Sequence, residues 1–202
     1  TSFARAPPQS LRANQLKATR DDVIRALAGE GIDAVAGSIA RDAIVVVERA
    51  NVFKTSAFRD GLFEQQDEGS QLVAALCGVA AGMCVVDGCA GAGGKTLQLA
   101  ALMEGKGEVH AFDVAAHRLR ALRERAKRAG AHNVRVHDEI AHKKRLRERA
   151  DVVLVDAPCS GTGVLRRNPD IGWKLKPDDI ARLVQQQRDI LAGYAPLVKP
   201  GG

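Results

Sequence analysis

Between residues 83 and 156, short apolar runs alternate with longer stretches in which apolar side chains recur every three or four positions. The runs at 83–87 (MCVVD), 108–113 (EVHAFD), 133–136 (NVRV) and 150–156 (ADVVLVD) predict strands. The last is apolar and β-branched over 152–155, the pattern of a strand covered on both faces. Helices are predicted over 95–103, with Leu97, Ala100 and Ala101 on one face, and over 115–129 and the basic stretch 139–149. A long helix is predicted over 177–195, with Ile180, Leu183, Val184, Ile190 and Leu191 inward. Strand–helix alternation of this kind predicts an α/β fold with a doubly wound, mostly parallel sheet.

Before residue 83 the rhythm differs. An irregular lead-in over 1–8 precedes a short strand over 10–17 (SLRANQLK). A helix follows over 22–29, with Thr19 or Asp21 placed to cap it. Residues 43–48 (AIVVVE) predict a second strand, 53–60 a loop carrying aromatic and basic residues, and 67–77 a helix with Leu72, Val73, Leu76 and Cys77 on one side. The expected organisation is a small α+β appendage over 1–60 and a larger α/β unit over 61–202.

Composition narrows the partners. Hydrophobic residues make up 46% of the 202, enough for a packed core. The net charge of +6 points to a polyanion, and nucleic acid is the commonest one. Cys77, Cys84, Cys89 and Cys159 form no CxxC pair and no cluster with histidine at zinc-binding spacing, so no metal is expected. They read as reduced thiols of a cytoplasmic protein. No apolar stretch approaches the roughly 18–20 residues of a membrane span. A start at Thr1 and a stop inside Lys199-Pro200-Gly201-Gly202 are expected to be fragment ends.

Two loops carry candidate chemistry. The first, DGCAGAGGKT over 87–96, joins a predicted strand to a predicted helix. Its glycines let the backbone turn and approach a ligand, and the helix offers it an N-terminus. A nucleoside-triphosphate loop of the form GxxxxGK[ST] would need glycine at position 89, where Cys89 stands. The alternative is the loop of S-adenosylmethionine (SAM) methyltransferases, which asks for an acid at the end of the next strand to hold ribose hydroxyls. Asp113 meets that requirement, and Asp138 ends the third strand, where it is placed to meet an adenine amine. The second loop is Asp156-Ala157-Pro158-Cys159, which puts a carboxylate and a thiol past a strand end, where open α/β sheets bind ligands.

Together, DGCAGAGGKT and VDAPCSGTGVLRRNPDIGWK resemble the NOL1/NOP2/Sun family of RNA cytosine-5 methyltransferases, and most of all the bacterial Sun-type enzymes of small-subunit ribosomal RNA. The resemblance runs from about residue 7 to 202. PPQSLRANQLK is similar to the family's RNA-binding appendage, and QDEGSQLVAAL to its lead-in helix. The family usually has CAAPGGK at the cofactor loop, whereas Gly91 and Ala92 stand here in place of alanine and proline.

The resemblance implies a Rossmann-like SAM-dependent methyltransferase fold, with its last strands absent from this chain. It implies rRNA processing by methylation to 5-methylcytosine. Cytosine C5 is a poor nucleophile, so a thiolate must first add to C6 of an unpaired or extruded base. The family's attacking cysteine lies in a Thr-Cys pair on a further strand, which implies that the nucleophile is absent here and that Cys159 is a helper thiol for product release. Asp156 is implied to recognise the cytosine edge or to stand between base and cofactor. The cofactor set is Cys89, Ala90, Gly91, Ala92, Gly93, Gly94, Lys95, Asp113, Asp138 and Asp156. Arg166, Arg167 and Lys174 flank the thiol loop and are read as phosphate contacts, with the basic run 142–149 as a weaker group. Cys77, Cys84 and Cys89 are read as packing residues rather than catalysts, and Trp173 as a packing anchor. A P-loop nucleotide-binding protein and a non-catalytic RNA-binding scaffold are the alternative readings.

Overall fold

A computed structural model describes residues 7–138 and 140–202. Residues 1–6, the start of the lead-in, and Glu139, the first residue of the expected basic helix, lie outside the described residues.

The first sheet is antiparallel throughout. Strand β1 (Gln9–Ala13) lies between β3 (Ala43–Val46) and β4 (Phe63–Gln65), and β2 (Ala34–Ala36) flanks β3. Helix α1 (Arg20–Gly29) starts at a reciprocal cap: the Asp22 amide donates to Thr19 Oγ1 and the Thr19 amide to the Asp22 carboxylate. Its apolar face buries Val23 and Leu27 against Leu11, Ile44, Val46 and Phe63. Alternation along β1 turns Arg12 away from that core.

Helix α3 (Glu68–Ala75) leads into the second sheet, which is parallel throughout. Its strands are β5 (Cys84–Asp87), β6 (Glu108–Phe112), β7 (Val134–His137) and β8 (Val152–Leu154), in the order β7-β6-β5-β8. Helices α4 (Gly94–Leu102) and α5 (Ala116–Ala129) cover one face, burying Leu97, Leu99, Leu119 and Leu122 on Val85, Val109 and Ala111. On the other face Val86 and Phe112 pack under Leu146, Leu197 and Tyr194, the last residue of α7 (Pro177–Tyr194).

Several expectations are corrected. The strand over 10–17 ends at Ala13 because Asn14 turns the chain: its side-chain Nδ2 donates to the carbonyls of Gly61 and Ala129, and its Oδ1 accepts from the Leu16 amide. The loop over 53–60 contains α2 (Ser56–Arg59), capped by Thr55. The basic stretch forms 3₁₀ turns over Ile140–Leu146 rather than an α-helix, with Leu146 buried. The 152–155 run is half-buried: among the described residues β8 pairs along its length only with β5. In α7 Ile190 and Tyr194 pack over the sheet and Leu183 and Gln187 are half-buried, which leaves Ile180, Val184 and Leu191 exposed. Trp173, on α6 (Ile171–Lys174), is 92% exposed rather than packed as an anchor. Finally, β4 belongs to the first sheet although it lies beyond the boundary drawn at residue 60.

Candidate cofactor and substrate site

Strand order reverses between β5 and β8, and a crevice opens at such a switch point beyond the carboxyl ends of the strands. The cavity found there measures about 1230 Å³. Asp87 ends β5, Asp113 follows β6, Asp156 lies just past β8, and all three line it.

The glycine loop is laid across the ends of both neighbouring strands. The Gly88 amide donates to the Leu154 carbonyl at 2.8 Å, and the Ala90 amide to the Phe112 carbonyl at 2.9 Å. Asp113 then fixes the turn from the far side, one oxygen accepting from the Gly91 amide at 2.9 Å and the other from the Ala115 amide at 2.8 Å. Gly93, at φ +93°, starts α4. Gly88 lies flush on Tyr194, where a Cβ would sit 2.9 Å from the ring.

Asp87 is 1% exposed. It accepts from the Thr96 hydroxyl at 2.7 Å, which ties β5 to α4. Its second oxygen meets no donor at regular hydrogen-bond geometry among the described residues, and the Cys89 amide offsets the burial only in part. Burial therefore pushes this carboxyl up to about 6 from an ordinary 3.8, against the pull of Thr96 and Lys95. The folded state then holds a proton that the unfolded state releases between about pH 4 and 6, so stability falls as pH rises through that window. Two pKa units correspond to roughly 3 kcal/mol. Denaturant titrations at pH 4 and pH 7 are expected to show a smaller loss for Asp87→Asn than for the unaltered chain. Equal losses in the two proteins would contradict the buried, proton-holding carboxyl.

The second loop faces the first. Lys95, in the first turn of α4, donates to Asp156 at 2.6 Å, its side chain only 17% exposed. Cys159 is exposed at the cavity mouth. The Pro158 carbonyl beside it accepts from Gln187 of α7 at 2.8 Å, which fixes the backbone that carries the thiol. The far wall is α7, with Arg182, Gln185 and Asp189 turned to the cavity. Lys143 closes one end, its ammonium 3.5 Å from the centre of the Tyr194 ring, and partial burial lowers its pKa.

Of the residues singled out in the sequence, Cys89, Ala90, Gly91, Gly94, Lys95, Asp113, Asp156 and Cys159 line this one cavity. Ala92 and Gly93 stand behind the loop: the Ala92 carbonyl accepts from Arg125 at 2.5 Å, and Gly93 packs on Leu122. Asp138 does not line the cavity and is held by Arg123 at 2.6 Å. Arg167 pairs with Asp67 and borders a separate groove with Arg49 and Phe53 of the first unit, and Lys174 pairs with Asp170 at 3.3 Å. Cys84 lies away from the cavity, in a pocket with His110, His137 and His142. Sequence reasoning missed the polar face of α7, although Arg182, Gln185 and Asp189 recur at helical spacing beside the apolar stripe. In the sequence, Lys143 reads only as part of a charge run.

Comparison with known proteins identifies the family and the fold. Residues 76–202 match the family model of the 16S rRNA methyltransferases RsmB/F, and residues 2–53 match the ferredoxin-like domain of RsmF/B-like methyltransferases. The probable ribosomal RNA small subunit methyltransferase B of Bacillus subtilis is 41% identical over 201 residues, 97% of this chain and 44% of that relative. The chain thus spans about half the length of the curated relatives it matches. The crystal structure of PH0851 superposes with a TM-score of 0.92 at 36% identity, covering 98% of this chain and 45% of that one. NSun6 from Pyrococcus horikoshii, solved with the SAM analogue SFG, shares the fold at a TM-score of 0.88 and 20% identity, over 100% of this chain and 76% of its own. The parallel sheet with its flanking helices is the Rossmann-like fold of SAM-dependent methyltransferases, and this chain belongs to the RsmB/F family of 16S rRNA methyltransferases.

Proposed function

We propose that this chain is the cofactor-binding and base-handling part of an enzyme that methylates C5 of a cytosine in small-subunit ribosomal RNA. One observation carries the reading: Asp113, Asp156, Cys159 and the glycine loop open on a single cavity at the switch point of the sheet. SAM, when bound, supplies an electrophilic methyl group. The loop from Cys89 to Lys95 would hold it, with Asp113 on the ribose. Asp156, kept in place by Lys95, would read the edge of the cytosine. Cys159 would help break down the covalent adduct that cysteine addition at C6 creates, and residues 1–60 would form an RNA-binding appendage.

Calorimetry with SAM and with ATP tests the cofactor. SAM is expected to bind, and binding of ATP alone would overturn the reading. Labelled SAM, ribosomal RNA and nucleoside mass spectrometry test the position of the methyl group, using a chain extended to the length of its relatives. In that extended chain Cys159→Ala is expected to leave enzyme trapped on RNA. Loss of every adduct would make Cys159 the attacking thiol instead.

The basic residues around the thiol loop support phosphate binding. RNA affinity is expected to fall with salt, because each neutralised phosphate releases counterions, with a slope of about −0.7 per contact on a single strand. Replacing Arg166 and Arg167 by alanine should flatten that slope and weaken all RNAs to a similar degree. An affinity independent of salt would exclude phosphate contacts at these positions.

A further inference from the structure

Two carbonyls of the glycine loop are gripped from behind by guanidinium groups tied to the first sheet. Arg12 of β1 is 1% exposed, although arginine is seldom buried to this degree. It donates to the Gly94 carbonyl at 2.8 Å, to the Gln98 side chain at 3.4 Å and to the Gln66 side chain. The glutamines close a circuit around it: Gln66 donates to Gln98 at 3.1 Å, Gln98 to the Gln71 carbonyl at 2.8 Å, and Gln71 back to the Leu11 carbonyl at 3.1 Å. Glu64 of β4, also buried, accepts from Arg125 at 2.8 and 3.1 Å and from Arg128. Arg125 spends its remaining nitrogen on the Ala92 carbonyl at 2.5 Å.

The gripped carbonyls, those of Ala92 and Gly94, stand on either side of Gly93. A peptide unit is planar and trans, so fixing the Gly94 carbonyl also fixes the Lys95 N–H on its opposite side. That N–H belongs to the first turn of α4, among the donors a helix cannot satisfy within itself. Gly94 and Lys95 both line the cavity. Burial of Arg12 is costly: its Nε finds no acceptor among the described residues, and desolvation draws the guanidinium down to about 10. Gln66 and Gln98 already hydrogen-bond to each other, so what Arg12 adds is the grip on the loop.

We infer that Arg12 and the Glu64–Arg125 pair are positioning residues for SAM: the first unit holds the cofactor loop in its binding geometry without touching the cofactor. The inference rests on the SAM reading above.

The test uses the full chain with Arg12→Met, Arg12→Lys, Glu64→Gln and, as a control, Lys17→Met. Lys17 also bridges the two units, donating to the carbonyls of Asp60 and Arg128 at 2.7 Å each, but does not reach the loop. Calorimetry should show SAM bound about tenfold or more weakly by Arg12→Met and Glu64→Gln, less weakly by Arg12→Lys, and within twofold of normal by Lys17→Met. Hydrogen exchange should quicken over 88–96 in the first two while β1 and β5 stay protected. Should Arg12→Met unfold, the near-isosteric Glu64→Gln carries the test. Folded variants that bind SAM normally would overturn the inference, as would Lys17→Met weakening SAM as much as Arg12→Met. If the unaltered chain binds no SAM, the functional reading fails. Quickened exchange over 88–96 in Arg12→Met would then still support the grip on the loop.

Discussion

Replacing Gly93 by alanine is expected to destabilise the chain by about 2–5 kcal/mol, from two independent costs. At φ +93° an L side chain is in the left-handed region, which costs roughly 1–2 kcal/mol. The added Cβ would stand 2.1 Å from Leu122 Cδ1. Leu122 is fully buried between α5 and the sheet and cannot swing aside, so overpacking adds about 1–3 kcal/mol. Gly94→Ala, one residue on, is the control. Its Cβ would meet nothing within 4 Å, and it lies in regular helix, where alanine is the better residue. Urea denaturation should separate the two sharply. Equal midpoints would mean that the turn tolerates a side chain and that the loop geometry described here is wrong.

That contrast also shows which features a sequence reveals. The alternation from residue 83 onward placed β5, β6, β7, α4, α5 and α7 within a few residues, because each is long or periodic enough to imprint its own spacing. Strands β2 and β4 have three residues each and leave no periodic trace; they exist because β3 and β1 offer them an edge. Asp113 and Asp156 were legible because the end of a strand is a position in sequence. The reach of Arg12 to Gly94 was not, since it spans 82 residues and runs against the rule that arginine stays outside. Within SLRANQLK, Arg12 reads as the polar side of a half-buried strand. The placement of α3 and α4 behind β1 makes that side a second interior. Asp138 illustrates the converse: the end of its strand was correctly placed, but its carboxylate is turned to Arg123 on α5.

Asp113→Ala is expected to weaken SAM by about ten- to a hundredfold, the equivalent of the roughly 1.5–3 kcal/mol of a hydrogen bond to a charged group. Each Asp113 oxygen already accepts one backbone amide, from Gly91 or from Ala115. An ionised carboxylate offers about four acceptor sites, so lone pairs remain for a ribose diol. Loss of the carboxylate therefore acts twice, removing the acceptor and releasing the Gly91 turn. Nucleoside probes separate the two effects. The unaltered chain should prefer adenosine to 2′,3′-dideoxyadenosine, since only the former has both hydroxyls. Asp113→Ala should bind the two nucleosides equally, while Gly93→Ala, if it binds at all, should keep the preference because its carboxylate is intact. Calorimetry with the three ligands decides the matter. If Asp113→Ala still distinguishes adenosine from its dideoxy form, the ribose is held elsewhere, and Asp113 serves only to brace the loop.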